Sequence, residues 1–261
     1  MDRVRRRELE DIKLSFSRLK WYEWLMASVM VLIALHAMLR AFISPSPGGN
    51  PPWLTAVNFV SAVAGVLCVF FCARAQVSNF IFGLINTLVY IVYLFYWHIW
   101  GTFALELFLY LPMGVIGWLH WARNRDKASP ERTRARRLSL PANACVALGV
   151  AGFTVGFHAL LLCLARLDRS FFPASVSWLD NGLVLWLDAA TVAIGVTATL
   201  LQTLRYREQY CWWIITDIVT VALYIAHFDA VYLAKRSIYL IVAVLGLINW
   251  IRLSRQNGEN A

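Results

Sequence analysis

Three carboxylic acid side chains lie inside long apolar stretches of the sequence, namely Glu106, Asp188 and Asp217. A charged group at membrane depth is costly, so such a residue faces a cavity, pairs with a cation or holds a proton. Tyr110 follows Glu106 by one helical turn and lies on the same face of its segment. We therefore expect these four residues to belong to a ligand site or to a proton pathway.

Polar and aromatic residues also recur at helical spacing on two of these stretches. The first set is Asn79, Phe82, Asn86, Tyr90 and Tyr93, and the second set is Tyr210, Trp213, Asp217, Thr220 and Tyr224. In each set the spacing predicts one face of a helix. Within a membrane, such a face lies toward the bundle interior or a wet cavity. Hydrogen bonds between helices would explain any single Asn or Tyr equally well, but two matched sets favour a binding site.

The chemistry of these side chains indicates the class of ligand. Aromatic faces attract a delocalised cation, while amides and carboxylates bind carboxamide and hydroxyl groups. The five histidines and five cysteines show no metal-ligand spacing, and no nucleophile and base form a recognisable pair. We therefore predict a site for a flat, cationic or amphipathic heterocycle, with no metal, no cofactor and no enzymatic reaction.

The composition shows which solvent surrounds the elements that carry this site. The chain has 261 residues, of which 60% are hydrophobic and 15% are charged. A soluble domain has roughly 45–50% apolar and about 25% charged residues. The surplus of apolar residues indicates a membrane protein and excludes a soluble globular domain or a disordered chain.

Eight segments are candidates for helices that cross the bilayer, which requires about 20 mostly apolar residues. They are residues 21–43, 53–73, 77–97, 102–121, 141–164, 178–204, 209–228 and 237–251, of which the last is short. The first segment is not followed by the cleavage pattern of a signal peptide, so we expect it to be retained.

The basic residues predict the orientation of the chain. With eight spans, 19 of the 24 Lys and Arg residues fall on the side of both termini and 5 on the opposite side. Basic loops lie on the cytoplasmic side of a membrane, so both termini are expected in the cytoplasm. The net charge of +9 is then a feature of these loops, which meet anionic lipid headgroups. Nucleic acid is not needed as a partner.

An internal repeat relates the helices before the central basic loop to the last helices. Residues 79, 82, 86 and 93 precede residues 210, 213, 217 and 224 by 131 positions, and residues 114 and 118 precede residues 246 and 250 by 132. The repeat divides the chain into residues 1–50, a basic arm with a peripheral helix; 51–123, the first three-helix repeat; 124–170, a basic loop with a linker helix; and 171–261, the second repeat with a short tail. We predict an all-α integral membrane protein with eight transmembrane helices, in which the odd linker helix leaves the two repeats parallel.

The motifs on the two stripes resemble those of the PnuC family of bacterial vitamin transporters. The densest part is Val-Ser-Asn-Phe-Ile-Phe-Gly-Leu-Ile-Asn, which ends at Asn86. The family's second motif, Trp-x-x-Trp followed four residues later by Asn, is present as Tyr210-Cys-Trp-Trp213 followed by Asp217. The closing Gly-Leu-Ile-Asn-Trp250 is also similar, and Glu106 falls where relatives can carry Gln.

This resemblance implies a fold like that of the SWEET sugar transporters and facilitated uptake of nicotinamide riboside across the bacterial inner membrane, followed by trapping through phosphorylation in the cell. Trp213 and Tyr210 would stack on the ring, Asp217 would balance its charge, and Asn79, Asn86 and Glu106 would bind polar groups. The full set of expected binding residues is Trp213, Asp217, Tyr210, Asn86, Asn79, Phe82, Tyr90, Glu106, Tyr110, Asp188 and Tyr224.

Several alternatives stay open at this point. Thiamine is also cationic and is carried by relatives, and the buried acids would suit a proton-coupled carrier. An intramembrane enzyme and a structural protein are the alternatives from other classes. A homo-oligomer is compatible with the sequence.

Overall fold

The computed structural model describes residues 2–44, 50–98, 100–127, 129–167, 182–227 and 230–259, and in this part of the chain the regular elements are all helical. This confirms the prediction of an all-α protein. The α-helices are α1 (Asp2–Ser17), α2 (Trp21–Ile43), α3 (Pro52–Ala73), α4 (Asn79–Tyr96), α5 (Trp100–Leu105), α6 (Leu111–Arg123), α7 (Leu140–Leu167), α8 (Gly182–Thr203), α9 (Gln209–His227) and α10 (Ala230–Glu259). A π-helical turn, Glu106–Tyr110, joins α5 to α6.

Seven helical segments in the described part of the chain are long and apolar enough to cross a membrane. Large apolar side chains on their outer faces are exposed, including Ile43 and Leu140 at 79% and Phe108 at 75%. Apolar surface of this extent is not stable in water and marks contact with lipid. The chain is therefore a multi-pass membrane protein, as its composition indicates.

The largest difference from the predicted segments is at α10. It begins at Ala230 and ends at Glu259, whereas hydropathy places this span at residues 237–251. Lys235 and Arg236 lower the local hydropathy, but long basic side chains do not end a helix. Arg236 consequently lies inside α10, although the predicted span begins one residue after it.

The basic N-terminal arm, for which the sequence analysis predicted no helix, forms α1. Ser15 is fully buried, and its hydroxyl lies 2.6 Å from that of Ser78 at the start of α4. Asp11 forms a 2.7 Å ion pair with Arg125 in the central loop. The sequence did not indicate these contacts, because they depend on polar residues far apart in the chain.

The segment from Trp100 to Arg123 changes its helical pitch at the π turn. The amide of Leu111 donates to the carbonyl of Glu106, five residues back instead of four. The next residue, Pro112, has no amide hydrogen to donate, which removes one α-helical hydrogen bond at this point. The π turn inserts one extra residue and changes the direction in which Glu106 points.

Two turns of the chain have the same shape. The connection from α3 to α4 contains Ala75 with φ 58°, and the connection from α8 to α9 contains Arg205 with φ 67°. These left-handed residues are 130 positions apart, and in both turns the helices end and begin at matching positions. The offset of 131 that the sequence suggested for this pair of helices is therefore wrong by one residue.

The last helix of each predicted repeat shows a second correction of register. A Cβ atom at Gly117 would lie 2.4 Å from the Phe80 ring, and one at Gly246 would lie 2.5 Å from the Tyr210 ring. Phe80 and Tyr210 are 130 positions apart, whereas Gly117 and Gly246 are 129 apart. The extra residue of the π turn explains this change of offset. Gly246 thus corresponds to Gly117, not to Gly114.

Hydrogen bonds cross between the two predicted repeats in a reciprocal pattern. The indole Nε1 of Trp121 on α6 donates to the Gln202 carbonyl of α8 at 2.8 Å. The indole Nε1 of Trp250 on α10 donates to the Cys72 carbonyl of α3 at 2.9 Å. Trp121 and Trp250 are 129 positions apart and Cys72 and Gln202 are 130 apart, so these are equivalent bonds in the two directions. We call these two bonds the indole clasp.

The central loop connects the two matching turns at the same end of the bundle. The amide of Thr133 donates to the Ala75 carbonyl at 2.9 Å, and the amide of Arg136 donates to the Arg205 carbonyl at 2.8 Å. Burial, together with the positive charges of Arg136 and Arg134, lowers the pKa of Arg205 to about 10. The loop, the turns and the indole clasp together fix one end of the bundle.

Candidate functional site

The two amides of the α4 stripe take part in contacts between helices. Asn79 is fully buried, donates to the Gln76 carbonyl at 2.6 Å and accepts a hydrogen bond from the Gln202 side chain at 3.3 Å. Two turns further along α4, the Asn86 oxygen accepts a hydrogen bond from the Ser61 hydroxyl on α3 at 2.7 Å. Asn79 therefore lies next to the indole clasp, whereas Asn86 is deeper in the helix.

The aromatic residues of the α4 stripe separate into two groups. The Phe82 ring packs edge-on against Phe71 at a centroid distance of 5.4 Å and against Phe16 of α1 at 6.1 Å. Tyr90 and Tyr93 lie nearly parallel, with ring centroids 5.9 Å apart and an interplanar angle of 11°. Phe82 thus fixes α1 to the bundle, while the tyrosine pair presents flat surfaces further along α4.

The first residues of the α9 stripe belong to the hydrophobic core. Tyr210 is buried, and its hydroxyl donates to Sγ of Cys72 at 3.4 Å. Trp213, one turn further on, is partly buried and packs against the core cluster that includes Tyr210 and Trp250. The side chain of Tyr224 lies outside the part of the structure that is described, as does that of Thr220.

Asp217 has a basic partner that the sequence did not indicate. It is only 5% exposed, and its Oδ1 accepts a hydrogen bond from Nη1 of Arg236 on α10 at 3.5 Å. Arg236 was overlooked because its flanking residues place it at the end of a hydropathy window. Its spacing of 130 residues from Glu106 is the signal that would have found it.

Glu106 opens the π turn and contacts α4. Its side chain lies beside Thr87, which follows Asn86 directly. Tyr110, one turn further on, reaches α8, where its hydroxyl would lie 3.2 Å from a Cβ atom at Gly195. These contacts place Glu106 against α4 and Tyr110 against α8.

Asp188 lies on α8, two turns before Gly195, so the two residues share one face of the helix. Asp188 is partly exposed, and its backbone carbonyl accepts a hydrogen bond from the Thr191 hydroxyl at 2.8 Å. Within the described residues no cation lies within ion-pair distance of its carboxylate. The α8 face that includes Asp188 therefore continues toward the surface that Tyr110 contacts.

The predicted residues thus fall into two regions. Asn79, Phe82 and Tyr210 lie at the clasp end and are held by neighbouring side chains. Glu106, Tyr110, Asp188, Asn86 and Asp217 lie further along their helices, and their contacts are separate: Asn86 with Ser61 of α3, Tyr110 near Gly195 of α8, and Asp217 with Arg236 of α10. Residues that the sequence analysis missed here are Thr87, Ser61 and Arg236. Among the described residues, no group of three His, Cys, Asp or Glu side chains is arranged to hold a metal ion.

A family model described as nicotinamide mononucleotide transporter matches residues 55–252. The chain belongs to this family, the PnuC transporters. The match covers most of the chain and includes every residue of the site described above. The chain is accordingly a transporter and not an enzyme, as the sequence predicted. Helix α1, α2 and the first residues of α3 precede the matched region.

Individual PnuC proteins resemble the chain over most of their length. A nicotinamide riboside transporter PnuC from Neisseria mucosa is 29% identical over 92% of this chain and 85% of its own. One from Escherichia coli is 24% identical over 82% of this chain and 91% of its own. The crystal structure of a vitamin B3 transporter PnuC matches with a TM-score of 0.65 and 26% identity, over 91% of this chain and 94% of that one.

Proposed function

We propose that the protein mediates facilitated uptake of nicotinamide riboside across the bacterial inner membrane. The observation that carries this proposal is the similarity to PnuC proteins named as nicotinamide riboside transporters, which extends over nearly the whole chain. The polar groups around Glu106 and Asn86 support it, because a ribose and a carboxamide require hydrogen-bond partners inside the membrane.

Alternating access would follow from the arrangement of two parallel three-helix units, residues 51–123 and 171–261, joined by the linker helix within 124–170. Matching turns, reciprocal indole bonds and equivalent glycine contacts support this pairing. Helix α9 would be the eighth span, since it packs against α8 and α10. The indole clasp would hold the units together at the cytoplasmic end, where the basic loops place both termini.

In this proposal Trp213 contacts the nicotinamide ring, and Tyr90 and Tyr110 line the path. Asn86, Glu106, Asp188 and Asp217 bind polar groups. Tyr210, Asn79 and Phe82 hold these residues in place, because their side chains contact protein groups at the clasp end. Tyr224, on the same face of α9 as Asp217, completes the set.

Cytoplasmic phosphorylation of the imported nucleoside would keep it in the cell and make net uptake possible without pumping. Two alternative functions are compatible with the same residues. Thiamine, also a cation, would suit the same acids and aromatic rings. A proton-coupled carrier would use the acids inside the spans, of which Glu106 and Asp188 lack a cation among the described residues.

The binding claim is tested by a thermal-shift and calorimetric panel of nicotinamide riboside, thiamine and riboflavin on the purified protein. Trp213→Ala should abolish nicotinamide riboside binding while the protein remains monodisperse. Trp21→Ala is the matched control, because Trp21 is 77% exposed and precedes the family region. Wild-type affinity of Trp213→Ala would refute its assignment as a ligand residue, and selective binding of thiamine would assign a different vitamin.

A further inference from the structure

Charged residues occupy equivalent positions in the two units with opposite signs. Glu106 and Arg236 are 130 positions apart, and so are their contact residues Thr87 and Asp217. The offset of 130 relates α4 to α9. It also relates the start of α5 to the start of α10, because the extra residue of the π turn comes later in the chain. Glu106 contacts Thr87, and Arg236 contacts Asp217. The same contact between equivalent positions is therefore present in both units.

The net charge of these two contacts differs. In the second unit the Asp217 carboxylate lies 3.5 Å from Arg236, so the pair is neutral as a whole. In the first unit Glu106 meets Thr87, a residue without charge. Within the described residues no Lys, Arg or His lies within ion-pair distance of Glu106. Of the two equivalent contacts, that of the first unit therefore carries a net negative charge when Glu106 is ionised, whereas that of the second unit is neutral.

An acid inside a span is costly unless a cation or a proton compensates it. A ligand that brings a positive charge to Glu106 supplies this compensation on binding, whereas it gains little from the Asp217 carboxylate that Arg236 already neutralises. The π turn begins at Glu106, and π turns occur frequently at functional sites because they redirect a side chain.

We propose that Glu106 is the residue that selects a cationic ligand over a neutral one of the same shape, and that Arg236 keeps Asp217 from doing so. This inference rests on the proposed uptake of a vitamin and assigns the ligand class to a pyridinium or another delocalised cation. It replaces the expectation that Asp217 balances the ligand charge.

The test compares two ligands that differ in charge and not in size. Nicotinamide riboside is a cation, and its dihydro form is neutral. The dissociation constant of the dihydro form divided by that of nicotinamide riboside therefore measures the preference for a positive charge. In Glu106→Gln this ratio should fall by roughly 10- to 100-fold, the value of one interaction with a charged group. Glu106→Met, which has similar length and no polar end, should lower it equally and provides a second variant if one does not fold.

Two further variants separate Glu106 from the other acids. Glu10→Gln should leave the ratio unchanged, because Glu10 is exposed on α1, which precedes the family region. Asp217→Asn should weaken binding of the cation, because it leaves Arg236 with an unpaired positive charge. The double variant Asp217→Asn with Arg236→Gln should then restore the wild-type ratio, which a direct role of Asp217 would not allow.

An unchanged ratio in Glu106→Gln and Glu106→Met, with normal folding, would overturn the inference. So would a larger fall of the ratio in Asp188→Asn than in Glu106→Gln, or a failure of the Asp217 and Arg236 double variant to restore it. If the wild-type protein binds neither ligand, the proposed function itself fails. If it binds both and Glu106 has no influence, only the inference fails.

Discussion

Gly246 on α10 provides a sharp test of the packing that positions Trp213, because it faces the Tyr210 ring. A Cβ atom at this position would lie 2.5 Å from Cε1, 2.7 Å from Cζ and 3.0 Å from Cδ1 of that ring. Favourable contacts between carbon atoms have distances of about 3.5–4.0 Å. The ring has little room to move, since its hydroxyl bonds to Cys72 and it packs on Trp250 with a centroid distance of 6.0 Å.

Gly246→Ala should therefore destabilise the protein by about 1–3 kcal/mol, the usual cost of overpacking a core. At 2–4 °C for each kcal/mol, this corresponds to a melting temperature lowered by roughly 2–12 °C. The melting temperature is measured by size-exclusion chromatography of the detergent-solubilised protein after heating. The expression level of each variant and its binding of the three vitamins are measured in parallel.

The matched control for this variant is Gly149→Ala on α7. No heavy atom lies within 4 Å of a Cβ atom at Gly149, so the added methyl meets open space. Because alanine favours a helix over glycine by about 1 kcal/mol, this control should keep or raise the melting temperature. A Gly246→Ala protein that is as stable as the control would refute the close contact between α9 and α10.

Two further predictions concern the polar contacts at the same end of the bundle. Trp250→Phe keeps an aromatic ring but removes the indole hydrogen bond to the Cys72 carbonyl, which retains the Ala75 amide as a donor, so it should cost about 0.5–1.5 kcal/mol in a thermal melt; a neutral effect would show that the indole clasp does not stabilise the fold. Glu23→Gln removes the negative charge from a buried pair in which Arg74 Nε donates to Glu23 at 2.9 Å, so it should cost on the order of 3 kcal/mol. Part of this loss should be recovered when Arg74→Gln is added, and an equally unstable double variant would contradict the pairing.

The hydropathy of the sequence identified the helices well, because lipid imposes long apolar segments. The segment 21–43 coincides with α2, and the other seven overlap a helix of the structure. The misses have a common physical cause. Helix α1 is polar and is stabilised by specific partners such as Ser78, and α10 continues through Arg236 because Asp217 accepts its charge. A hydropathy window contains no information about such partners.

The internal repeat was visible in the sequence, but its register was not. The π turn adds one residue to the first copy, so no single offset aligns all three helices. Matching by residue type alone paired Trp118 with Trp250, although Trp121 is the residue that makes the equivalent bond. The hydrogen bonds to the carbonyls of the opposite unit identify the register, and these become apparent only in three dimensions.

The candidate site was partly predictable. Polar residues at helical spacing identified α4 and α9 as the helices that carry it, and the acids inside the spans indicated where charge matters. The sequence did not show that Tyr210 and Asn79 are fully occupied by neighbouring groups, nor that Asp217 is paired with Arg236. Those contacts depend on which helices are neighbours. They are the reason that we assign the interaction with the ligand charge to Glu106 and not to Asp217.

Uptake of labelled nicotinamide riboside into liposomes that contain the purified protein tests the proposed function most directly. We expect saturable uptake that needs no pH gradient, ends when the internal and external concentrations are equal, and is lost in Trp213→Ala but not in Trp21→Ala. Uptake no faster than that of empty liposomes would contradict transport of this vitamin. Accumulation above the external concentration only when a proton gradient is imposed would contradict facilitated diffusion and indicate a proton-coupled carrier.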